Sequence, residues 1–200
     1  EPIAVRFKNN PSSTTRDILY VAGLFRGTDT LHIFVCHFPS RLGGELQSES
    51  KRCDAAAILK AKTDSISTSS PNAKIVIMGD FNDYPDNKSM SEILKARMPE
   101  EGEIVPSELY NLAKRLNENP NIGTHKHQTG WGVLDQIIVS GALLIAQSGL
   151  ATTTEGANIF SPDFLLENDE KYLNKKPFRT YVGFKYNNGF SDHLPIFLDL

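Results

Sequence analysis

Only two cysteines, Cys36 and Cys53, occur in 200 residues. Two thiols cannot build a disulfide framework or a cysteine-rich zinc site. Long apolar runs are missing as well, the longest extending a few residues, as in Ile75-Val76-Ile77-Met78. A membrane-spanning helix needs about 20 in a row, so no membrane span is expected. Neither sign of charge dominates. Lys and Arg number 21 against 24 Asp and Glu, a formal net charge of −3. That balance argues against a broad basic surface for non-specific nucleic-acid binding. Nucleic acid is therefore an open partner that the charge does not favour, and no dense Lys/Arg cluster interleaved with aromatics is expected. The sequence has no Gly-rich phosphate loop, no Gly-x-Ser-x-Gly elbow and no His-x-x-x-His pair.

What is present is ordinary globular composition, with 40% hydrophobic and 22% charged residues. This excludes intrinsic disorder and collagen-like repeats. The length suits one domain over residues 1–200 with a sizeable core. The chain opens on Glu1 and runs at once into a strand-like segment over 3–7. We expect a piece cut from a longer protein, whose compartment cannot be read from this start.

Apolar patterning predicts strands over 17–25 and 31–38, joined by a turn at Gly27-Thr28-Asp29. Residues Leu31, Ile33, Val35 and His37 share one face of the second strand, and Phe34, Cys36 and Phe38 the other, which predicts burial on both sides. A helix is expected over 46–66, with Ala55, Ile58, Leu59 and Ile66 on one stripe. A short buried strand follows over 74–78. Helices are expected over 88–98 and 108–116, a loop over 117–123, and strands over 133–139 and 194–200. Residues 152–189 show no assignable pattern. Strands mixed with crossover helices point to a layered α/β sandwich.

Four polar clusters sit at or inside apolar strands. The first is His37-Phe38-Pro39-Ser40-Arg41, where Pro39 ends the ladder; read blandly, His37 bonds a backbone group. The second is Gly79-Asp80-Phe81-Asn82-Asp83, where Asp80 and Asn82 leave the carboxyl end of a strand, the usual place for a ligand in α/β layers. An Asx-capped turn is the plain alternative. In the third, Asp135 shares a strand face with Val133, Ile137 and Val139. A carboxylate there costs several kcal/mol unless donors or a cation satisfy it; a histidine is a natural partner, and exposure to water is the alternative. The fourth is Ser191-Asp192-His193-Leu194-Pro195. In an extended chain Asp192 and His193 point to opposite sides, so one can bind a metal while the other faces substrate. Carboxylates and an amide oxygen are hard ligands suited to magnesium or manganese. With two histidines they suit attack of water on a phosphate ester.

The order of His37-Phe38-Pro39, Gly79-Asp80-Phe81-Asn82, Trp131-Gly132-Val133-Leu134-Asp135-Gln136 and Ser191-Asp192-His193 resembles the endonuclease/exonuclease/phosphatase superfamily. The matches run from about residue 17 to residue 200. The resemblance implies a four-layer α/β sandwich of two mixed, mainly antiparallel sheets flanked by helices. It implies a metal-dependent hydrolase of phosphate esters (phosphodiesterase, nuclease or phosphatase) using Mg2+ or Mn2+. His37 would protonate or stabilise the phosphoryl group. Asp80 would orient or activate the attacking water and contribute to the metal site. Asn82 would help fix that water, Asp192 would ligate the metal, and His193 would act as base or phosphate stabiliser, held by Asp135.

The family's first two strands, which end in an Asn and in the main metal-binding Glu, have no counterpart in this sequence. The chain is thus expected to be the C-terminal portion of such an enzyme, with weak magnesium affinity. An uncovered sheet face would take the missing N-terminal segment or a second copy. The alternative from another class is a non-catalytic module that holds a phosphorylated ligand. Of the remaining candidates, Arg41 is read as a substrate-phosphate clamp or a solvated loop cation. His125 and His127 are read as a solvated hairpin, Trp131 as packing at the core edge, and Cys36 as a small buried hydrophobe.

Overall fold

The β-forming segments assemble into a six-stranded sheet in the order Pro2–Ile3, Ile18–Phe25, Asp29–His37, Lys74–Asp80, Asp135–Ser140, Leu109–Asn111. All neighbours are antiparallel except Asp29–His37 and Lys74–Asp80, which run parallel. A parallel pair needs a long crossover, and helix Glu45–Ser69 supplies it. The computed structural model describes residues 1–25, 27, 29–121, 123–172 and 174–200, with Pro11 described by its backbone alone. Thr28 of the expected turn and Ile122 of the expected 117–123 loop lie outside the described residues.

The two sheet faces are covered unequally. On one, Ile18, Phe34, Cys36, Phe38, Ile75 and Ile77 pack against Ala55, Ala56 and Leu59 of the long helix. The helical period expected for this segment is therefore the one observed, and Cys36 is buried as a small hydrophobe. On the other face, Val76, Ile137 and Val139 pack with Leu143, Leu150 and Ala157, and with the partly buried Ile196 and Leu198. The covering layer there is the two-stranded pair Ala157–Ile159 with Ile196–Leu198, shorter at the chain end than the expected 194–200 strand.

Leu31 at the start of Asp29–His37 packs against this cluster, but the layer stops short of the rest of that strand and of Ile18–Phe25. Leu19 and Val21 remain 47% exposed and Val35 41%. Leu19 pairs with Val35, and Val21 with Ile33, so these side chains share one open face. The expectation that residues 31–38 are buried on both sides is corrected: only the Phe34, Cys36 and Phe38 face is closed.

Three local expectations also change. Residues 108–116 form the strand Leu109–Asn111 and a single turn, Lys114–Asn117. Pairing of Tyr110 and Asn111 with Val139 and Ile138 overrides the helix preference of Leu, Ala and Lys. The 88–98 helix contracts to a π-helical turn, Ser89–Leu94, which ends where Lys95 turns left-handed at φ 57°. The 3–7 strand is split into Pro2–Ile3 and Arg6–Phe7.

Candidate phosphoester site

Register sets the site. His37 pairs with Asp80 across the parallel strands, and Asp80 pairs with Asp135 across the antiparallel ones. Three strands therefore deliver His37, Asp80 and Asp135 side by side at one end of the sheet. Gly79 makes this possible. Its φ is 132°, and a Cβ there would lie 2.0 Å from the Cys36 carbonyl oxygen. Just beyond, Asn82 turns left-handed at φ 51°, a conformation Asn tolerates better than most residues. Its backbone N–H donates to Asp80 Oδ1 at 2.8 Å, and its Nδ2 donates to Asp80 Oδ2 at 3.0 Å and to the Phe38 carbonyl at 3.1 Å.

His193 reaches the same row from the far end of the chain. Its Nδ1 donates to Asp135 Oδ2 at 2.6 Å, which leaves Nε2 as its second functional nitrogen. The carboxylate that the sequence requires to have a partner thus has one. Asp192 lies in a bend and not in extended chain. Asp192 and His193 both border one cleft. That cleft, about 830 Å³, is also bordered by Arg16, His37, Arg41, Glu45, Asp80, Asn82, Tyr84, His125, His127 and Asp135.

The electrostatics divide the histidines. Burial pulls the His193 pKa down, but the Asp135 hydrogen bond and the charges of Asp135, Asp80 and Asp192 outweigh it, and the net shift is upward. Burial holds His37 below its ordinary value, aided by the Arg16 guanidinium. Arg16 Nη2 lies 2.5 Å from His37 Nε2. Asp80 Oδ2 lies 3.4 Å from the same nitrogen; because arginine only donates, the shorter Arg16 contact favours Nε2 as an acceptor and a neutral imidazole. Burial raises Asp80 above the usual carboxylate range, and the neighbouring Asp135 charge adds to the rise.

His125 and His127 lie on the expected hairpin, His125–His127 paired with Gly130–Gly132, and His127 is exposed, but His125 is half-buried and both border the cleft. The His125 ring stands 4.8 Å from that of His193, and the two residues form an isolated antiparallel bridge. Burial, then the His193 and Arg179 charges, push His125 down to about 4. Trp131 is half-buried at the wall of a smaller neighbouring cleft.

Arg41 borders the main cleft with most of its donors engaged. It donates to the Asn82 carbonyl at 2.7 Å, Glu45 at 3.0 Å, Asn87 at 3.0 Å and Asp83 at 3.5 Å. Its guanidinium also covers the Tyr84 ring at 4.7 Å. One of five N–H groups is left over, so Arg41 braces the Asn82 loop. The same loop is anchored to the long helix by a buried ion pair, Arg52 to Asp83 at 2.7 Å.

Ligand atoms of Asp80, Asp135 and His193 all lie within 4.8 Å of one another. Asp135 Oδ2 and His193 Nδ1 are bonded to each other, and both Asp80 oxygens accept from Asn82. Asp192 is outside that trio. This oxygen-rich set fits a hard divalent cation.

The profile of the endonuclease/exonuclease/phosphatase family matches residues 1–200. The chain belongs to that family. Among solved structures, this family member is similar to D. rerio TDP2 complexed with single strand DNA product, at 15% identity, 98% coverage of this chain, 64% of that one and a TM-score of 0.53. It is similar to the human Nocturnin catalytic domain with bound sulfate anion, at 16% identity, 100% and 58% coverage and a TM-score of 0.51. It is also similar to truncated Caenorhabditis elegans TDP2, at 15% identity, 98% and 63% coverage and a TM-score of 0.50. At these identities the likeness is one of fold, and the chain spans about three fifths of each of those structures. No curated protein matches the sequence.

Sequence reasoning missed Arg16, Glu45, Tyr84 and the active-side placement of His125. Arg16 reaches the cleft through a non-local contact with His37, whereas Glu45 lies four residues from Arg41 and Tyr84 two residues after Asn82, spacings that could have flagged them. His125 came nearest to legibility, through its alternation with His127 on one short strand.

Proposed function

We propose that this family member hydrolyses phosphate esters by metal-assisted attack of water on phosphorus. The observation that carries the reading is the row of His37, Asp80 and Asp135, closed by the Asp135–His193 hydrogen bond and by Asn82 on Asp80. A module that only holds a phosphate needs cations and N–H donors; it does not need a half-buried carboxylate beside an oriented histidine.

In this reading Asp80, fixed by two donors from Asn82, orients the attacking water and takes its proton. The water oxygen forms the new bond to phosphorus as the bond to the ester oxygen breaks. His193, kept protonated by Asp135, faces the developing phosphoryl charge through Nε2 and can return a proton to the leaving oxygen. Neutral His37, backed by Arg16, donates through Nδ1 or reorients to hold a phosphoryl oxygen. Asp80 and Asp192 would hold Mg2+ or Mn2+, which supplies positive charge to the phosphoryl oxygens.

Hydrolysis of bis-p-nitrophenyl phosphate by the complete protein tests the reading. Turnover with magnesium or manganese that EDTA abolishes is the expected result. Tight binding of inorganic phosphate with no turnover under any divalent cation would replace the enzyme by the binding module.

A further inference from the structure

Residues 171–190 hold five Lys and Arg, six aromatics and no acidic residue, in a chain of net charge −3. This interleaved segment is the kind of cluster that the sequence reading did not expect, hidden by the overall charge. Its centre is a hairpin, Tyr181–Val182 paired with Lys185–Tyr186. The turn is Gly183-Phe184, with Gly183 at φ 61° and open space around it. Gly at the first of two turn residues suits a tight hairpin.

The hairpin is firmly based and apolar at its tip. Phe190 N–H donates to the Phe178 carbonyl at 2.7 Å, and Asn187 N–H to the Thr180 carbonyl at 2.8 Å. Below, Phe190 packs edge-on against Phe164 and Phe178. At the far end Phe184 is fully exposed, and Tyr181, Val182 and Tyr186 are each more than half exposed. Lys176 is committed to Glu167 and Asp169. Lys185, the cross-strand partner of Val182, has no ion pair among the described residues. Beyond Asn187-Asn188-Gly189-Phe190 come Ser191-Asp192-His193, which border the cleft.

The arrangement is layered. An apolar tip leads, a cation sits one rung behind it, and a tyrosine pair follows. Single-stranded nucleic acid wants aromatic faces along a groove. Here Tyr181 and Tyr186 turn edge to face on each other, with centroids 5.5 Å apart, and Val182 has no π face. A bilayer interface takes this sequence of groups: apolar side chains at the acyl boundary, tyrosines among the headgroups and Lys on lipid phosphate. We propose that the 181–186 hairpin docks the protein on an anionic phospholipid surface, with Phe184 and Val182 at the acyl boundary and Lys185 on the headgroup phosphates. This goes beyond the hydrolase reading and does not rest on it.

Co-sedimentation of the complete protein with phospholipid vesicles tests it. Binding to vesicles of phosphatidylcholine with phosphatidylserine is expected, with less on phosphatidylcholine alone. Phe184→Asp removes the inserted ring and should weaken vesicle binding about 10- to 100-fold, the equivalent of one buried large apolar side chain. Because Phe184 is fully exposed, the same variant should retain wild-type unfolding and wild-type turnover of soluble bis-p-nitrophenyl phosphate. Absence of vesicle binding by the unmodified protein, or undiminished binding by Phe184→Asp, overturns the proposal. So does a single-stranded oligonucleotide that binds the protein and loses affinity in Phe184→Asp while vesicles are ignored.

Discussion

In the proposed hydrolysis the hydrogen-bonded His193 and Asp135 would act as one unit, and each tests the other. General acid–base groups contribute about 10²–10⁴-fold to rate, so His193→Ala in the complete enzyme should lower kcat by that order with folding nearly intact. Asp135→Asn keeps the shape of the partner but removes its charge, so a smaller, clear loss of kcat is expected. A His193→Ala loss under about tenfold would remove His193 from the chemistry. A change of stability without a change of rate in Asp135→Asn would break the pairing. Gly79 governs where the chemistry stands. Gly79→Ala forces a side chain into left-handed backbone and against the Cys36 carbonyl. Backbone strain of this kind costs about 1–3 kcal/mol, and the contact adds to it. Denaturant unfolding should show the loss, and an unchanged midpoint would mean that the strand exit is not held as described.

Strands Ile18–Phe25 and Asp29–His37 carry helix-packed residues on one face and an open apolar face on the other. Leu19, Val21 and Val35 are each worth about 1.5–3 kcal/mol when fully buried, so the face is a ready surface for association. The 200-residue chain should associate in a concentration-dependent way by sedimentation velocity. Replacing Val21 with Lys should reduce that association without loss of stability. A chain that stays monomeric at high concentration would show that the open face is tolerated in water. The same two strands are where alternation misled. Apolar residues on both faces read as double burial, but burial on the second face depends on a covering layer, and the cluster built on Ala157–Ile159 and Ile196–Leu198 reaches Lys74–Asp80, Asp135–Ser140 and no further than Leu31 of the next strand.

For the molecule as a whole, pH dependence follows from histidines held in opposite directions. His125 is held at about 4, chiefly by burial, and returns to about 6.5 in the unfolded chain. The folded value is the lower one, so the unfolded chain takes the proton first. The stabilisation from keeping His125 neutral is complete above about pH 6.5 and is lost as pH falls toward its folded value. His37 and His32, also lowered, add in the same sense. His193 is raised, so its contribution is complete below about pH 6.5 and is lost as pH rises through its folded value. Urea midpoints should therefore fall between pH 7 and pH 5, and His125→Asn should flatten that fall. An equal fall in the variant would show that His125 is not buried against His193.

The candidate site was largely legible as residue types. His37, Asp80, Asn82, Asp135, Asp192 and His193 all border one cleft, and the need of Asp135 for a donor followed from its apolar neighbours. The central strands and the long helix were legible too, because period 2 and period 3.6 are local properties of the chain. What pairing alone decided was different in kind. Leu109–Asn111 is a strand because it finds an edge to pair with, against its own helix preference. Arg16 and His125 reach the cleft through contacts between distant segments, with His37 and with His193, which leave no trace in local sequence. The bend at Asp192, with both it and His193 bordering one cleft, was likewise decided by the tertiary structure. Composition and periodicity thus specify which groups exist and which elements form, since both depend on neighbours in sequence. Register across the parallel pair, and the reach of the covering layer, specify which groups meet, since both depend on free energy shared between segments far apart in the chain.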